Sequence, residues 1–218
     1  MDIESARRNM VDCQIKTWDV FDLDVIETFT EVKREHFVPE IFKTLAFADI
    51  NLDIGYGQTM MSPKLEARLL QSLSLKRNDK VLEIGTGTGH VTAHLAKLAR
   101  EVFSFECHPD IFKSAKSNLE KSGTRNVRLL CENGLTACDQ FSPFDVIVLL
   151  GSIPNRERKL EELLAIGGRM FAIVGSGVVM DAVLIQRVSE SDWHYEVLFE
   201  TSTEALLGTE ISPTFQFD

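Results

Sequence analysis

Three glycines at alternate positions, Gly85, Gly87 and Gly89, separate the apolar run Val81-Leu82-Glu83-Ile84 from the helix-compatible stretch VTAHLAKLA. That order is strand, tight turn, helix. Glycine there lets the backbone take positive φ and admits a ligand where a Cβ would stand. The first N–H groups of the following helix face whatever lies in the turn. A nucleotide-like cofactor is the natural occupant.

The spacing is G-x-G-x-G, not the G-x-G-x-x-G of the dinucleotide fingerprint, whose third glycine serves helix–strand packing. Glu83 lies just upstream, a poor neighbour for a pyrophosphate and a good one for the ammonium of an amino-acid moiety. Glu106 follows Gly85 by 21 residues and ends the next apolar run, Glu101 to Phe105. In nucleotide-binding βαβ units an acid at that place meets the ribose hydroxyls. The set resembles the S-adenosylmethionine site of Rossmann-like methyltransferases. The expected cofactor is therefore S-adenosyl-L-methionine, held by Glu83, Gly85, Thr86, Gly87, Gly89, Glu106 and Cys107, with His90 placed to line the pocket.

At 218 residues, 44% apolar and 26% charged, the chain can bury a full core. No apolar run approaches the ~18 residues of a membrane span, and the N-terminus MDIESARRNMVD lacks the apolar core of a signal peptide. Cys13, Cys107, Cys131 and Cys138 form no C-x-x-C pair and read as reduced, buried thiols of a cytoplasmic protein. The net charge of −10 argues against a partner that tracks nucleic-acid phosphates. A small molecule or a peptide fits better, and no membrane partner is expected. Oligomeric state is left open.

Along the chain, Ala6, Met10, Val11 and Ile15 recur near helical spacing. A second helical pattern begins after Asp22 and runs through Val25, Ile26, Phe29 and Val32 until Val38-Pro39 breaks it. Ile41, Phe42 and Leu45 begin a short helix or turn. Residues 46–62 lack a sustained period and read as an extended loop. Pro63 suits a first helical position, with Ser62 as a possible N-cap. From residue 80, strand and helix alternate: VLEI, a helix over 89–99, EVFSFE, a helix over 109–122, NVRLLC and FDVIVLL. ERKLEELLAIG then reads as a helix closed by Gly167-Gly168, followed by a strand over 169–174. Residues 181–188 and 194–199 read as a terminal hairpin. The expected fold is α/β: a doubly wound, mostly parallel seven-stranded sheet with a C-terminal antiparallel hairpin and a helical N-terminal extension. Residues 1–62 would form the extension and substrate loop, and 63–218 the cofactor-binding domain, packed as one unit.

The segments ARRNMVDCQI, EVKREHFVPE, GYGQTMMSPKLEARLLQSL and VLEIGTGTGHVTAHLAKLAREVFSFE resemble, in order, motifs of the protein-L-isoaspartate O-methyltransferase family. NVRLLCENGL, FDVIVLLGSIPN and LLAIGGRMFAIVG continue the resemblance over nearly the whole chain. It implies methyl transfer to the α-carboxylate of an isoaspartyl residue in a protein or peptide, a repair reaction. It also adds Asn133 and Gly134 to the cofactor site and places Thr59 and Ser62 at the methyl-acceptor mouth. Three departures stand out. Met61 occupies the position of the family's loop hydroxyl, with Ser62 one residue later. Asn133 replaces the acid of a G-D-G turn. The C-terminus, EALLGTEISPTFQFD, lacks an F-V-P-L closing strand.

Plainer roles compete at several positions. Ser62 serves equally as a helix cap and Thr59 as a loop-satisfying hydroxyl. Asp145 reads as structural or cofactor-adjacent. His90 and His94 are spaced i, i+4 but lack the H-E-x-x-H glutamate, so no metal is expected. Trp18, Phe21 and the Phe37 region read as core. Two rival functions remain: methyl transfer to a different, small-molecule acceptor, and a non-enzymatic module that keeps the cofactor as a ligand.

Overall fold

A computed structural model describes residues 2–209. The N-terminal part is helical: α1 (Ile3–Met10) continues into a π turn over Val11–Ile15, α2 spans Leu23–Glu31, and a 3-10 segment covers Glu40–Leu45. Asp22 starts α2 by accepting the N–H groups of Asp24 and Val25 at 3.0 and 3.2 Å, the usual work of a short carboxylate at an N-cap. A hairpin follows, β1 (Leu52–Gly55) and β2 (Gln58–Met60), turned through Tyr56 and Gly57 at positive φ. Reading residues 46–62 as unbroken loop is thereby corrected. The strands hold four and three residues, too few to show a period.

After α3 (Pro63–Leu73) come β3 (Lys80–Ile84), α4 (His90–Leu98), β4 (Glu101–Phe105), α5 (Pro109–Lys121) and β5 (Val127–Leu130). Then follow α6 (Gly134–Ala137), β6 (Phe144–Ile153), α7 (Arg158–Glu161), β7 (Leu164–Val174), β8 (Met180–Arg187) and β9 (Trp193–Thr201). The seven strands of the main sheet lie in the order β5-β4-β3-β6-β7-β8-β9. Pairing is parallel as far as β7 and antiparallel at β8 and β9, which is the architecture the alternation predicts. Strand order reverses between β3 and β6, and a crevice opens at the carboxyl ends of strands at such a switch point.

Both faces are covered, and period two sorts the side chains. Val81, Val102, Val146 and Phe171 face one core together with Met10, Ile15, Leu69 and Leu95. Leu82, Ile84, Phe103, Ile147 and Met170 face the other. The N-terminal helices thus share a core with the sheet.

Three further expectations are corrected. The helix over ERKLEELLAIG shrinks to α7, and β7 already begins at Leu164, which pairs with Phe144. Between that pair and Val146–Arg169 the register shifts, and Gly167 takes φ +82° inside the bulge. Strand pairing wins there over helix propensity. Trp18 and Phe21 are not core: they are 47% and 71% exposed, beside a turn in which Asp19 adopts φ +59°. Of the cysteines only Cys138 is buried; Cys13 and Cys131 are exposed and Cys107 is half-buried.

A Cβ at Gly168 would stand 2.9–3.1 Å from three carbonyl oxygens, those of Ala165, Asp145 and Phe144. Backbone cannot yield there as a side chain can. Gly168→Ala is expected to cost about 1–3 kcal/mol of unfolding free energy, read from urea midpoints.

Candidate active site

The crevice floor is the turn after β3. Gly85 and Thr86 donate their N–H groups to the Phe105 carbonyl at 2.9 and 3.1 Å, tying the turn to the end of β4. Gly85 and Gly87 hold φ +95° and +56°, which explains glycine at both. Glu106 continues from β4. One carboxylate oxygen accepts Gly87 N–H at 3.0 Å and the other accepts His108 N–H at 2.9 Å. The Cys107 thiol adds a weak bond to the second oxygen at 3.8 Å; with about four acceptor positions on a carboxylate, Glu106 keeps capacity for a ribose hydroxyl. Gly85, Gly87, Glu106 and Cys107 line one cleft with Ile54 and Thr59. Burial and then Glu106 push the Cys107 thiol pKa up, which keeps it a protonated wall group and not a nucleophile.

Two lids face this floor. The β1–β2 hairpin brings Ile54 and Thr59 over it, and its tip is latched: Tyr56 stacks on His108 at 4.5 Å and donates to Asp110 at 2.6 Å. The segment after β9 forms the second lid. Ala205 pairs in parallel with Ser152 of β6, and Leu206 packs over Gly85 and Gly151.

Glu83 does not line the cleft. The alternation of β3 turns it toward α4, fully buried, opposite Ser104 of β4. Ser104 and Thr92 donate to one of its oxygens at 2.5 and 2.6 Å. The single Ser104 hydrogen is then used, so Thr86 in the turn donates to Ser104 at 2.6 Å. Glu83 therefore braces the turn from beneath through hydroxyls. Its other oxygen is buried without a partner among the described residues. An orphaned acceptor under a glycine cradle, with a free-faced carboxylate at the end of β4, fits a cofactor that carries an ammonium and a ribose. Burial, with Glu106 adding to it, raises the Glu83 carboxyl to about 7.

Sequence reasoning missed Arg34 as a structural centre, although it stands in EVKREHFVPE. It is fully buried. Its guanidinium donates to the Ala46 carbonyl at 3.0 Å, the Met61 carbonyl at 2.6 Å and Glu66 at 2.5 Å. Glu66 also meets Nδ1 of His90 at 2.8 Å, and Nε2 of His90 meets Nε2 of His94 at 3.3 Å. Proton directions follow from the far end. Thr28 gives its hydrogen to the Val25 carbonyl, so His94 Nδ1 must donate to Thr28. His94 Nε2 then accepts from His90, whose Nδ1 accepts in turn, from Arg34 or from a protonated Glu66. Burial lowers both histidines well below their usual range, consistent with neutral rings, and lifts Glu66 to about 7 against the pull of Arg34. The histidine pair is thus internal wiring between α4 and α3.

Of the two acceptor-mouth residues, only Thr59 reaches the cleft. Ser62 lines a separate depression with Trp18, Lys64 and Phe199, caps α3 without a side-chain bond, and gives its N–H to Asn51 at 3.0 Å. Thr86 and His90 border a small cavity behind Thr59 and Met61. Asn133 caps α6 through Leu135 N–H and donates to the Leu207 carbonyl at 3.3 Å, anchoring the second lid. Gly134 is a packing glycine, since a Cβ would meet Phe105 at 2.9 Å; Gly89 likewise lies against Leu119. Asp145 is structural and accepts Lys80 N–H at the far end of the sheet.

A doubly wound seven-stranded sheet with this turn, this brace and this strand-end acid defines a methyltransferase that uses S-adenosyl-L-methionine. Comparison with known proteins makes the assignment specific. The family model described as protein-L-isoaspartate(D-aspartate) O-methyltransferase matches residues 5–203. The chain is 36% identical to protein-L-isoaspartate O-methyltransferase 2 of Marinobacter nauticus, over 96% of each chain. It is 35% identical to the Picosynechococcus protein-L-isoaspartate O-methyltransferase, over 97% of this chain and 89% of that one. A Plasmodium falciparum structure, described as a beta-aspartate methyltransferase in complex with S-adenosyl-L-homocysteine, shares the fold. Its TM-score is 0.80 at 20% identity, over 94% of this chain and 98% of that one. The chain belongs to the protein-L-isoaspartate(D-aspartate) O-methyltransferase family.

Glu66 and Glu83 both bind a proton more tightly folded than unfolded. The stability this brings is complete below pH 4.5 and is lost as pH rises through about 7. The melting temperature of ligand-free protein is expected to fall between pH 5.5 and 8. Glu83→Gln should flatten that slope and add roughly 1–3 kcal/mol at pH 8, as followed by calorimetry. Arg34→Met strands Glu66 and frees the Met61 carbonyl, an expected loss of about 3–5 kcal/mol at pH 8. The loss should be smaller at pH 5, where Glu66 is neutral, by chemical denaturation at both pH values.

Proposed function

We propose that this methyltransferase esterifies the α-carboxylate of isoaspartyl residues in proteins and peptides, a repair reaction in the cytoplasm. The observation that carries the reading is Thr59, whose hydroxyl shares one cleft with Gly85, Gly87 and Glu106. The relatives' names supply the acceptor chemistry, and four unpaired thiols suit a reducing compartment. Of the two segments, 1–62 would supply the hairpin with Thr59, and the part from residue 63 would supply the cofactor cradle together with the lid after β9; residues 210–218 of that second segment lie outside the described residues.

When bound, S-adenosyl-L-methionine supplies a methyl group activated by a positively charged sulfur. A carboxylate is already anionic near neutral pH, so the protein needs no general base, and its task is placement. Glu106 is positioned to accept a ribose hydroxyl, and the buried carboxylate of Glu83 favours positive charge above the turn. Thr59 is positioned to donate to one oxygen of the acceptor carboxylate and leave the other to react. The two lids exclude water, which would solvate the nucleophile and weaken the alignment.

A second reading has one observation in its favour. Ser62 lies outside the cleft and Met61 has no hydroxyl, so of positions 59, 61 and 62 only Thr59 offers the cleft a hydroxyl, which suits a smaller hydroxyl or carboxylate metabolite.

Methyl-labelled cofactor and an isoaspartyl peptide should give a base-labile ester. Thr59→Val should lower kcat/KM by roughly 10- to 100-fold, the worth of a hydrogen bond to a charged group. Glu106→Ala should weaken S-adenosyl-L-homocysteine at least about tenfold in calorimetry. Folded protein that binds the product cofactor yet forms no peptide ester would give way to the small-molecule reading.

A further inference from the structure

The Thr59 hydroxyl already has a partner. It donates to Glu204 at 2.7 Å, and Thr203 reaches the same carboxylate oxygen at 3.4 Å. Glu204 comes from the second lid, 145 residues further along the chain. Its placement is built into the fold. The Ser152 N–H donates to the Glu204 carbonyl at 2.8 Å, and Leu206 N–H returns to the Ser152 carbonyl at 2.9 Å. Leu206 is buried against Gly151, where a Cβ would come within 2.8 Å of it. The lid's backbone is thus clamped to β6 while the Glu204 side chain, half-buried, projects to the hairpin.

A threonine hydroxyl has one hydrogen and serves one carboxylate at a time. Two carboxylates at one hydroxyl also repel each other. We propose that Glu204 is a specificity-determining residue of the acceptor site: it holds the Thr59 hydroxyl as an acceptor carboxylate would, and an anionic acceptor binds only by displacing it. The proposal rests on the isoaspartyl reading above and deepens it. The acceptor that competes best brings its own cation for the displaced Glu204. The expected substrate class is therefore isoaspartyl peptide with a neighbouring lysine or arginine, and acidic flanks are disfavoured.

Steady-state methylation of one isoaspartyl peptide, made with a lysine or a glutamate beside the isoaspartate, tests this in four proteins: wild type, Glu204→Ala, Thr59→Val and the double variant. Wild type should show a KM for the lysine peptide at least about fivefold below that for the glutamate peptide. Glu204→Ala should lower KM for the glutamate peptide by roughly tenfold, with kcat within about twofold, and should abolish the preference. In the Thr59→Val background the same replacement should change KM less than about twofold, as a direct competition requires. An unchanged or raised KM in Glu204→Ala, or an equal fall in both backgrounds, overturns the proposal and leaves isoaspartyl activity standing. No ester from wild type or Glu204→Ala, while both still bind S-adenosyl-L-homocysteine, removes the acceptor reading and this inference with it.

Discussion

One buried guanidinium holds the working parts of this protein in register. Arg34 touches Ala46 and Met61, which bracket the hairpin segment, and Glu66 on α3. Through Glu66 it reaches His90, the first residue of the helix that leaves the glycine turn. A charge with no solvent exposure is tolerated only when its donors are answered with good geometry, and here those partners are the elements that frame the crevice. Arginine suits the position because its planar fork addresses several oxygens at fixed angles, which a lysine ammonium cannot do. The network is thus a specifier of arrangement more than a source of net stability. Its glutamate sits close to the neutral range because burial and the arginine pull in opposite directions.

The site is an assembly of segments far apart in sequence. The strand-end acid and the turn are linked by Glu106 to Gly87, and the turn is braced from below by Glu83 through Ser104 and Thr86. The hairpin and the segment after β9 meet above, where Thr59 touches Glu204. A register shift in β6, between Val148 and Ser152, lies where that segment docks, with Leu150 lining the crevice and Gly151 lying under Leu206. The irregular strand re-aims its edge there.

What the sequence disclosed follows from how local each signal is. The turn after β3 was legible because strand, glycines and helix are contiguous, and the strand-end acid because its spacing is set by one crossover. For Glu83, strict alternation from Val81 also gives its direction, toward α4 and beneath the turn, where Thr92 and Ser104 meet it. The hairpin escaped because its strands are short. The helix over 157–167 was misread because pairing with β6 is a tertiary fact. Arg34 and Glu204 act on groups tens to more than a hundred residues away, and no spacing within a single chain announces such a pair. Trp18 and Phe21 show the opposite error, since aromatic composition alone does not decide burial.

The clamp of residues 204–206 onto β6 divides the crevice between two independent supports. The glycine turn is fixed by the first crossover and its brace, whereas part of the opposite wall is drawn from the stretch that follows β9. Replacements in that stretch alter the wall and leave untouched the bonds that shape the turn. A lineage with this plan can remodel one side of its crevice by editing a few codons after β9.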